Sequence, residues 1–395
     1  MSTPRFFQAA ALGALWLASP ITAQGQLEVR GYALGVGSYA GDSDLVDAGA
    51  NWFGRGRVML NWDPGALTFE AAYEHVLQRQ PAEGGFGITT PGGSRVSTDW
   101  LPLDWDLHES GRSSWRHRFD RLALRWTRGP LEVGVGRQTI SWATTLLLTP
   151  ADPFAPFDPS DPFRAYRGGV DALRVRASTG PFSEIEAVVR AAETPAGTTV
   201  TALARVATSR GTWAFGGWGG MLHDEAAGAL FTTGAIGATS IRSELSVRRD
   251  AGGGAVLRGS AGLDRFFQPA GRDLFAILEV QYDGYGAASA DSLLGVVQSQ
   301  AYGRGDLQVL GQWTLAAQAS WQVHPLIAVD ALALTNLLDP SVLVAPGVSW
   351  STTESASTRL GLFLGGGAGS SGPFSPGSEY GSVPAIGYLS GSIFF

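Results

Sequence analysis

Between Ala50 and Asp63 the sequence changes character at every second residue. Trp52, Gly54, Gly56, Val58, Leu60 and Trp62 hold one parity, and Asn51, Phe53, Arg55, Arg57, Met59, Asn61 and Asp63 the other. Successive side chains of a strand point to opposite faces, so this segment sets a wholly apolar face against one with charges at its middle. The separation of Trp52 and Trp62 corresponds to about 33 Å of extended chain. At the tilt of strands in a closed barrel this projects to roughly 25 Å, the height of a membrane barrel's apolar band with an aromatic residue at each rim.

The pattern recurs. Leu67, Phe69, Ala71 and Tyr73 oppose Thr68, Glu70, Ala72 and Glu74; Leu122, Leu124 and Trp126 oppose Arg121, Ala123 and Arg125. Leu131, Val133 and Val135 oppose Glu132, Gly134 and Gly136, and Leu274 to Tyr282 alternates in the same way against Glu279, Gln281 and Asp283. With 54 glycines in 395 residues, long helices are disfavoured. A hydrophobic content of 44% is too high for a disordered chain. There are no cysteines, which excludes a disulfide scaffold or a thiolate metal site. All 28 basic residues are arginine, and the net charge of -7 argues against a nucleic-acid surface, which needs a basic excess.

Arg5, the apolar run Ala9–Leu17 and the small residues ending at Ala23 have the three parts of a secretory leader. The expected division is residues 1–23 as signal peptide and 24–395 as one domain. After the leader no run approaches the ~20 apolar residues of a spanning helix. An exported chain of this kind that enters lipid does so as a closed barrel, where every backbone group is paired.

The connections alternate in length. Tight turns are expected at Asp63–Ala66, Thr127–Pro130, Ser178–Pro181, Ser209–Gly211, Ala238–Ser240 and His324–Pro325, and long pieces at Gln80–Ser114, Ser141–Gly169, Gly284–Gly305 and Ala368–Val383. Two connections break the rule, a short outer one at Leu338–Pro340 and a long inner one at Phe266–Asp273. The expected fold is all-β, a transmembrane antiparallel barrel of about 18 strands with short periplasmic turns and longer extracellular loops.

The last strand alternates Leu389, Gly391, Ile393 and Phe395 and ends the chain on Phe395. It resembles the assembly signal of bacterial outer-membrane barrels. That likeness implies the barrel-assembly machinery and outer-membrane lipids as partners, and pairing of Leu27–Val36 with Ala385–Phe395 to abolish both edges. Gly136-Arg137-Gln138, Ile140-Ser141-Trp142, Asp152-Pro153-Phe154, Asp171-Ala172-Leu173-Arg174 and Asn336-Leu337-Leu338-Asp339 resemble motifs of alginate-export-type outer-membrane proteins and related porins. The resemblance implies an 18-stranded barrel whose Arg-rich lumen passes anionic solutes or polysaccharides. Ala143 stands where that family would place Gly.

Parity assigns Arg55, Arg57, Arg121, Arg125, Arg174, Arg176, Arg190, Arg205, Arg242, Arg248 and Arg258 to the lumen, with Glu70, Glu74, Glu132, Glu184, Glu186, Glu244, Asp264, Glu279 and Asp283. Counting outward from the turns sets Arg55 opposite Glu74, Arg125 opposite Glu132, and Arg176 near Glu184 or Glu186. Two readings stay open: cross-strand ion pairs that stiffen the wall, and an arginine ladder that guides anions. Trp52, Trp62, Tyr73, Trp126 and Tyr282 are the expected aromatic girdle. Arg137 and Asp171 carry charge on the outward parity, which places them together at the outer interface.

The long piece containing Asp152, Phe154, Phe157, Asp158 and Asp161 is too aromatic to be simply solvated. It is either an infolded constriction loop or a cap on the outer rim. Its carboxylates would suit a hard cation, but the spacing is not that of an EF-hand, and no metal or cofactor is expected. Hydrolytic chemistry would need a base beside a nucleophile. The one crude grouping is His108 and His117 near Asp104, Asp106, Glu109 and Ser110, with no Gly-x-Ser-x-Gly context, so an enzyme is not expected. The expected function is a porin-like channel for a small or polymeric solute, the alternative a structural or polysaccharide-anchoring barrel without transport.

Overall fold

The computed structural model describes residues 25–44, 47–79, 98–154, 159–163, 166–250, 252–372 and 375–395. The expected leader lies outside them, as do Phe157 and Asp158. The described residues contain β1 (Gln26–Ala40), β2 (Gly49–Asp63), β3 (Leu67–Arg79), β4 (Asp104–Ser110), β5 (Ser113–Arg128) and β6 (Leu131–Gln138). There follow β7 (Val170–Gly180), β8 (Ser183–Thr194), β9 (Gly197–Arg210), β10 (Trp213–Leu222), β11 (Glu225–Ile236), β12 (Thr239–Arg249) and β13 (Ala255–Phe267). The remainder are β14 (Leu274–Asp283), β15 (Trp313–His324), β16 (Ile327–Asn336), β17 (Ser341–Thr353), β18 (Ala356–Gly366) and β19 (Ile386–Phe394), with two short helices, α1 (Leu293–Val297) and α2 (Gln300–Gly303), between β14 and β15.

Eighteen of the strands form one closed antiparallel wall in sequence order. Closure comes from β1 against β19, in register from Tyr32 opposite Phe394 to Ala40 opposite Ile386. Gly31 and Phe395 complete it by exchanging backbone hydrogen bonds of 2.8 and 3.0 Å. The ladder therefore has no open edge at either terminus.

The exception is β4. β6 is short and leaves the wall after Gln138, whereas β5 continues past that level. β4 folds back along the part of β5 that β6 does not reach, setting Asp104 opposite Arg118 and Ser110 opposite Ser113.

The two faces of the wall follow the alternation. Trp52 is 45% and Trp62 38% exposed, and Leu124, Val135, Leu278 and Leu389 are exposed beside them on the outside. No helix of the described residues is long and apolar enough to cross a membrane. The inside is crowded: Tyr32, Leu34, Phe53, Leu334, Leu343, Phe363 and Tyr388 from the wall form an apolar cluster with Leu147, Leu148 and Phe163 from the β6–β7 connection. A second cluster joins Ile140, Trp142 and Phe154 of that connection to Val188 of β8, Leu203 of β9 and Trp218 of β10.

Candidate functional site

The β6–β7 connection runs inside the barrel and not over its rim. Contacts with inward residues of strands all round the bore hold it there. Trp142 packs on Trp218 of β10, and Phe163 on Tyr388 of β19 and Phe53 of β2. The Phe163 carbonyl accepts a 2.9 Å hydrogen bond from Arg55. Between Thr144 and Ala151 the backbone makes no ladder, so its N–H donors need other acceptors. The Glu244 carboxylate of β12 accepts from Thr144, Thr145 and Ala151 at 2.8, 3.4 and 3.0 Å. The Glu279 carboxylate of β14 accepts from Leu146, Leu147 and Leu148 at 2.7, 2.8 and 2.8 Å. The Gln308 amide oxygen takes the Thr149 N–H at 2.5 Å.

Asp152 is buried and engaged within the connection, accepting from Ser141 Oγ at 2.7 Å and pairing with Arg167 at 3.1 Å. Phe154 packs edge-on against Trp142. Asp161 accepts the Phe163 N–H at 2.9 Å. Among the described residues no group of three or more His, Cys, Asp or Glu is placed to hold a metal ion.

On one half of the lumen the charged side chains form a continuous chain. Arg57 meets Glu74 at 3.2 Å and Asp120 at 2.6 Å, Arg55 reaches Glu74 at 3.8 Å, and Arg118 lies 3.1 Å from Glu74. Arg121 pairs with Asp120 at 2.7 Å and approaches Glu70 at 3.7 Å. Arg125 bridges Glu70 and Glu132 at 3.8 and 3.6 Å, and Arg176 meets Glu132 at 2.9 Å. Six arginines, 55, 57, 118, 121, 125 and 176, thus share four carboxylates, 70, 74, 120 and 132.

Elsewhere the ratio is closer to one to one. Arg174 pairs with Glu186 at 2.7 Å, Arg205 with Glu184, Arg242 with Asp264 at 2.6 Å and Arg258 with Asp283 at 2.8 Å. Arg190 is buried and makes no ion pair among the described residues; it donates to the Phe154 carbonyl at 3.4 Å and to Thr98 Oγ1 at 3.1 Å.

Cavities lie on either side of the infolded connection. One of about 580 Å³ is lined by Leu146, Phe275, Phe363 and Tyr388 with the Arg359–Asp330 pair. The other, of about 510 Å³, is lined by Thr144, Phe231, Arg205, Arg242 and several Ser and Thr hydroxyls, with the Arg205 guanidinium 4.9 Å from the Phe231 ring.

Several expected placements need correction. Arg57, not Arg55, stands opposite Glu74, and Arg55 stands opposite Val76. Thr127, not Arg125, stands opposite Glu132. Both errors have one cause. The turns are centred one residue later than expected, with Gly65 and Gly129 at positive φ, 105° and 57°, in the first central position. That is where the hairpin turns compatible with strand twist need a left-handed residue. Arg176 is in register with Glu186, but its ion pair is with Glu132, and Glu186 belongs to Arg174.

Arg118 and Asp120 escaped the parity count. An irregularity in β5, opposite Ala72 and Tyr73, carries one residue more than its partner and exchanges the two faces beyond it. Tyr73 faces outward, but in the middle of β3, level with Val58. There it packs on His75, His117 and Phe119, and its hydroxyl is hydrogen-bonded to His117 Nδ1. Trp126 is near the turn end of β5, and Tyr282 packs on Trp313 near the loop end. In the His108–His117 region Asp106 pairs with Arg116 at 3.0 Å, and His117 is engaged with Tyr73.

Arg137 and Asp171 do meet, at 2.8 Å. They are not at an open interface, because Arg137 is 1% exposed. The segment just before β4 covers them: Arg137 donates to the Leu101 carbonyl at 2.8 Å and lies 3.2 Å from Asp99, while Trp100 and Leu101 N–H groups donate to Asp171 at 2.9 and 2.8 Å.

A closed eighteen-strand antiparallel wall, long connections gathered at one end and a segment folded into the bore define a barrel of the porin type. Solved structures share this fold. Pseudomonas aeruginosa OpdK, determined with vanillate, is similar with a TM-score of 0.54 at 12% identity, over 93% of this chain and 98% of that one. A BenF-like porin from Pseudomonas fluorescens gives 0.54 at 12% over 94% and 98%. Wzi, a carbohydrate-binding outer-membrane barrel involved in group 1 capsule assembly in Escherichia coli, gives 0.56 at 9% over 94% and 84%. No family model and no curated protein matches the sequence. At these identities the likeness is one of fold.

Proposed function

We propose that the chain is an outer-membrane channel of the porin type that passes small anionic solutes, or an anionic polysaccharide as in the alginate-export-type proteins its motifs resemble. The observation that carries this reading is the excess of arginine over carboxylate along β2, β3, β5, β6 and β7. A guanidinium stays charged at any working pH and grips carboxylates or phosphates bidentately. One sign of charge in a low-dielectric bore focuses the field on solutes of the other. The apolar outer belt and the closed ladder suit a bilayer. A non-transporting saccharide-binding barrel is the second reading, favoured by the segment that crosses the bore.

Reversal potential in a salt gradient across a planar bilayer tests the proposal. The wild-type channel is expected to prefer anions, with the preference falling as salt screens the arginines. Arg125 and Arg176 keep 36% and 39% of their side chains exposed to the bore. Replacing both with Ala is expected to move the potential toward cations. A cation-selective wild type would overturn the anion assignment, and absence of conductance would favour the saccharide-binding barrel.

A further inference from the structure

The segment Thr144–Ala151 has no strand or helix of its own, yet its backbone N–H groups are taken by side chains from other parts of the chain. Pro150 has no N–H. Glu244 takes three of the remaining seven, Glu279 takes three, and Gln308 takes one. A carboxylate is an acceptor with room for about four hydrogen bonds and no donor, so it matches a run of converging N–H groups where an amide or hydroxyl would not. Both carboxylates are buried, Glu244 at 2% and Glu279 at 1% exposure. Leu148, between them, is 0% exposed.

We propose that Glu244 and Glu279 are positioning residues that clamp the infolded segment across the bore and thereby set its open cross-section. Their charges are directed at the segment's backbone rather than at passing solute. Arg242 adds a hold on the same segment by donating to the Thr144 carbonyl at 3.3 Å. The Thr145 hydroxyl, donating to the Leu148 carbonyl at 2.6 Å, closes the turn between the two clamps. The proposal rests on the channel reading only for its consequence in conductance. The clamping itself is independent of whether anything is transported.

The test uses Leu148→Cys as a probe, since the chain has no other thiol. In purified full-length barrel its labelling by a soluble maleimide is expected to be very slow. Glu279→Gln puts an amide NH₂ where an N–H now donates, and Glu244→Gln does the same at the other clamp. Each is expected to raise the labelling rate by about tenfold or more, the change implied by losing a charge-assisted hydrogen bond. Glu279→Asp, which keeps the carboxylate, is expected to fall between wild type and Glu279→Gln. Gel mobility before and after boiling reports that the wall is intact, and single-channel conductance is expected to rise in the same order as labelling.

Unchanged labelling in both Gln variants with an intact wall overturns the proposal. So does loss of the wall in Glu279→Gln while Glu279→Asp, with its wall intact, labels no faster than wild type. Faster labelling with no conductance in any variant supports the clamp and overturns the channel reading instead.

Discussion

Arg137 illustrates how one buried charge can govern a surface segment. Its guanidinium serves the Asp171 carboxylate on the neighbouring strand and the Leu101 carbonyl of the covering segment together. Replacing Arg137 with Ala leaves Asp171 buried without its cation, and breaking a buried pair in this way costs about 3–5 kcal/mol. The expected outcome is a lower midpoint in denaturant for the variant, with protease nicking near Leu101 before the wall unfolds; equal midpoints would refute this role. The sequence disclosed that Arg137 and Asp171 belong together, because both break the apolar parity of adjoining strands. It did not disclose what covers them, since the covering residues are remote in sequence and carry no pattern. At the β2–β3 and β5–β6 turns the register was legible to within one residue and would have been correct had Gly65 and Gly129 been placed first in their turns. The extra residue in β5 left no such mark, so Arg118 and Asp120 were lost.

At the scale of elements, alternation and turn chemistry made the wall strands readable, whereas the infolded connections were readable only as long and aromatic. Their positions depend on acceptors such as Glu244 and Asp306 that parity presents as ordinary lumen charges or does not present at all. The β14–β15 connection shows the same device as the β6–β7 one. α1 and α2 pack on Leu307 and Leu310, and Asp306 ties them to the wall through Arg248 at 2.8 Å. Burial would raise the Asp306 carboxyl, but the surrounding Arg248 and Arg258 guanidiniums outweigh it and hold the carboxyl below its ordinary value. A depressed carboxyl stabilises the fold fully above its unfolded value, near pH ~3.9, and loses that contribution as pH falls toward its folded value. Pepsin is therefore expected to leave residues 284–312 intact at pH 5 and to cut there increasingly below about pH 4. Asp306→Asn should be cut at both; equal resistance of the two proteins at pH 5 would refute the tie.

For the molecule as a whole, closure is the property on which the rest depends. The final strand is held between β18 and β1, and Phe395 packs its ring where Gly31 leaves room, a Cβ there falling 2.3 Å from it. Deleting Phe395 removes both the ring and the last backbone exchange with Gly31. The expected result is a several-fold smaller fraction of folded, heat-modifiable protein in membranes, read on a gel; an unchanged fraction would show that the terminal residue is dispensable. Barrel class and strand number were legible here because they follow from a period of two and from chain geometry. The filling of the bore was not, because it depends on which non-local partners meet.

The splice at β6 also has a bearing on how copies of the chain treat one another. Handing the upper part of β5 to β4 closes that row of backbone groups but transfers an edge outward, since β4 pairs with β5 alone among the described residues. An unpaired strand is a template on which a second molecule can extend the sheet, and acidic side chains along it discourage this. β4 reads Asp104-Trp105-Asp106-Leu107-His108-Glu109-Ser110 and is exposed almost throughout. An approaching copy would bring like acidic charge against this strand, so the repair of the wall carries its own guard against strand-to-strand polymerisation.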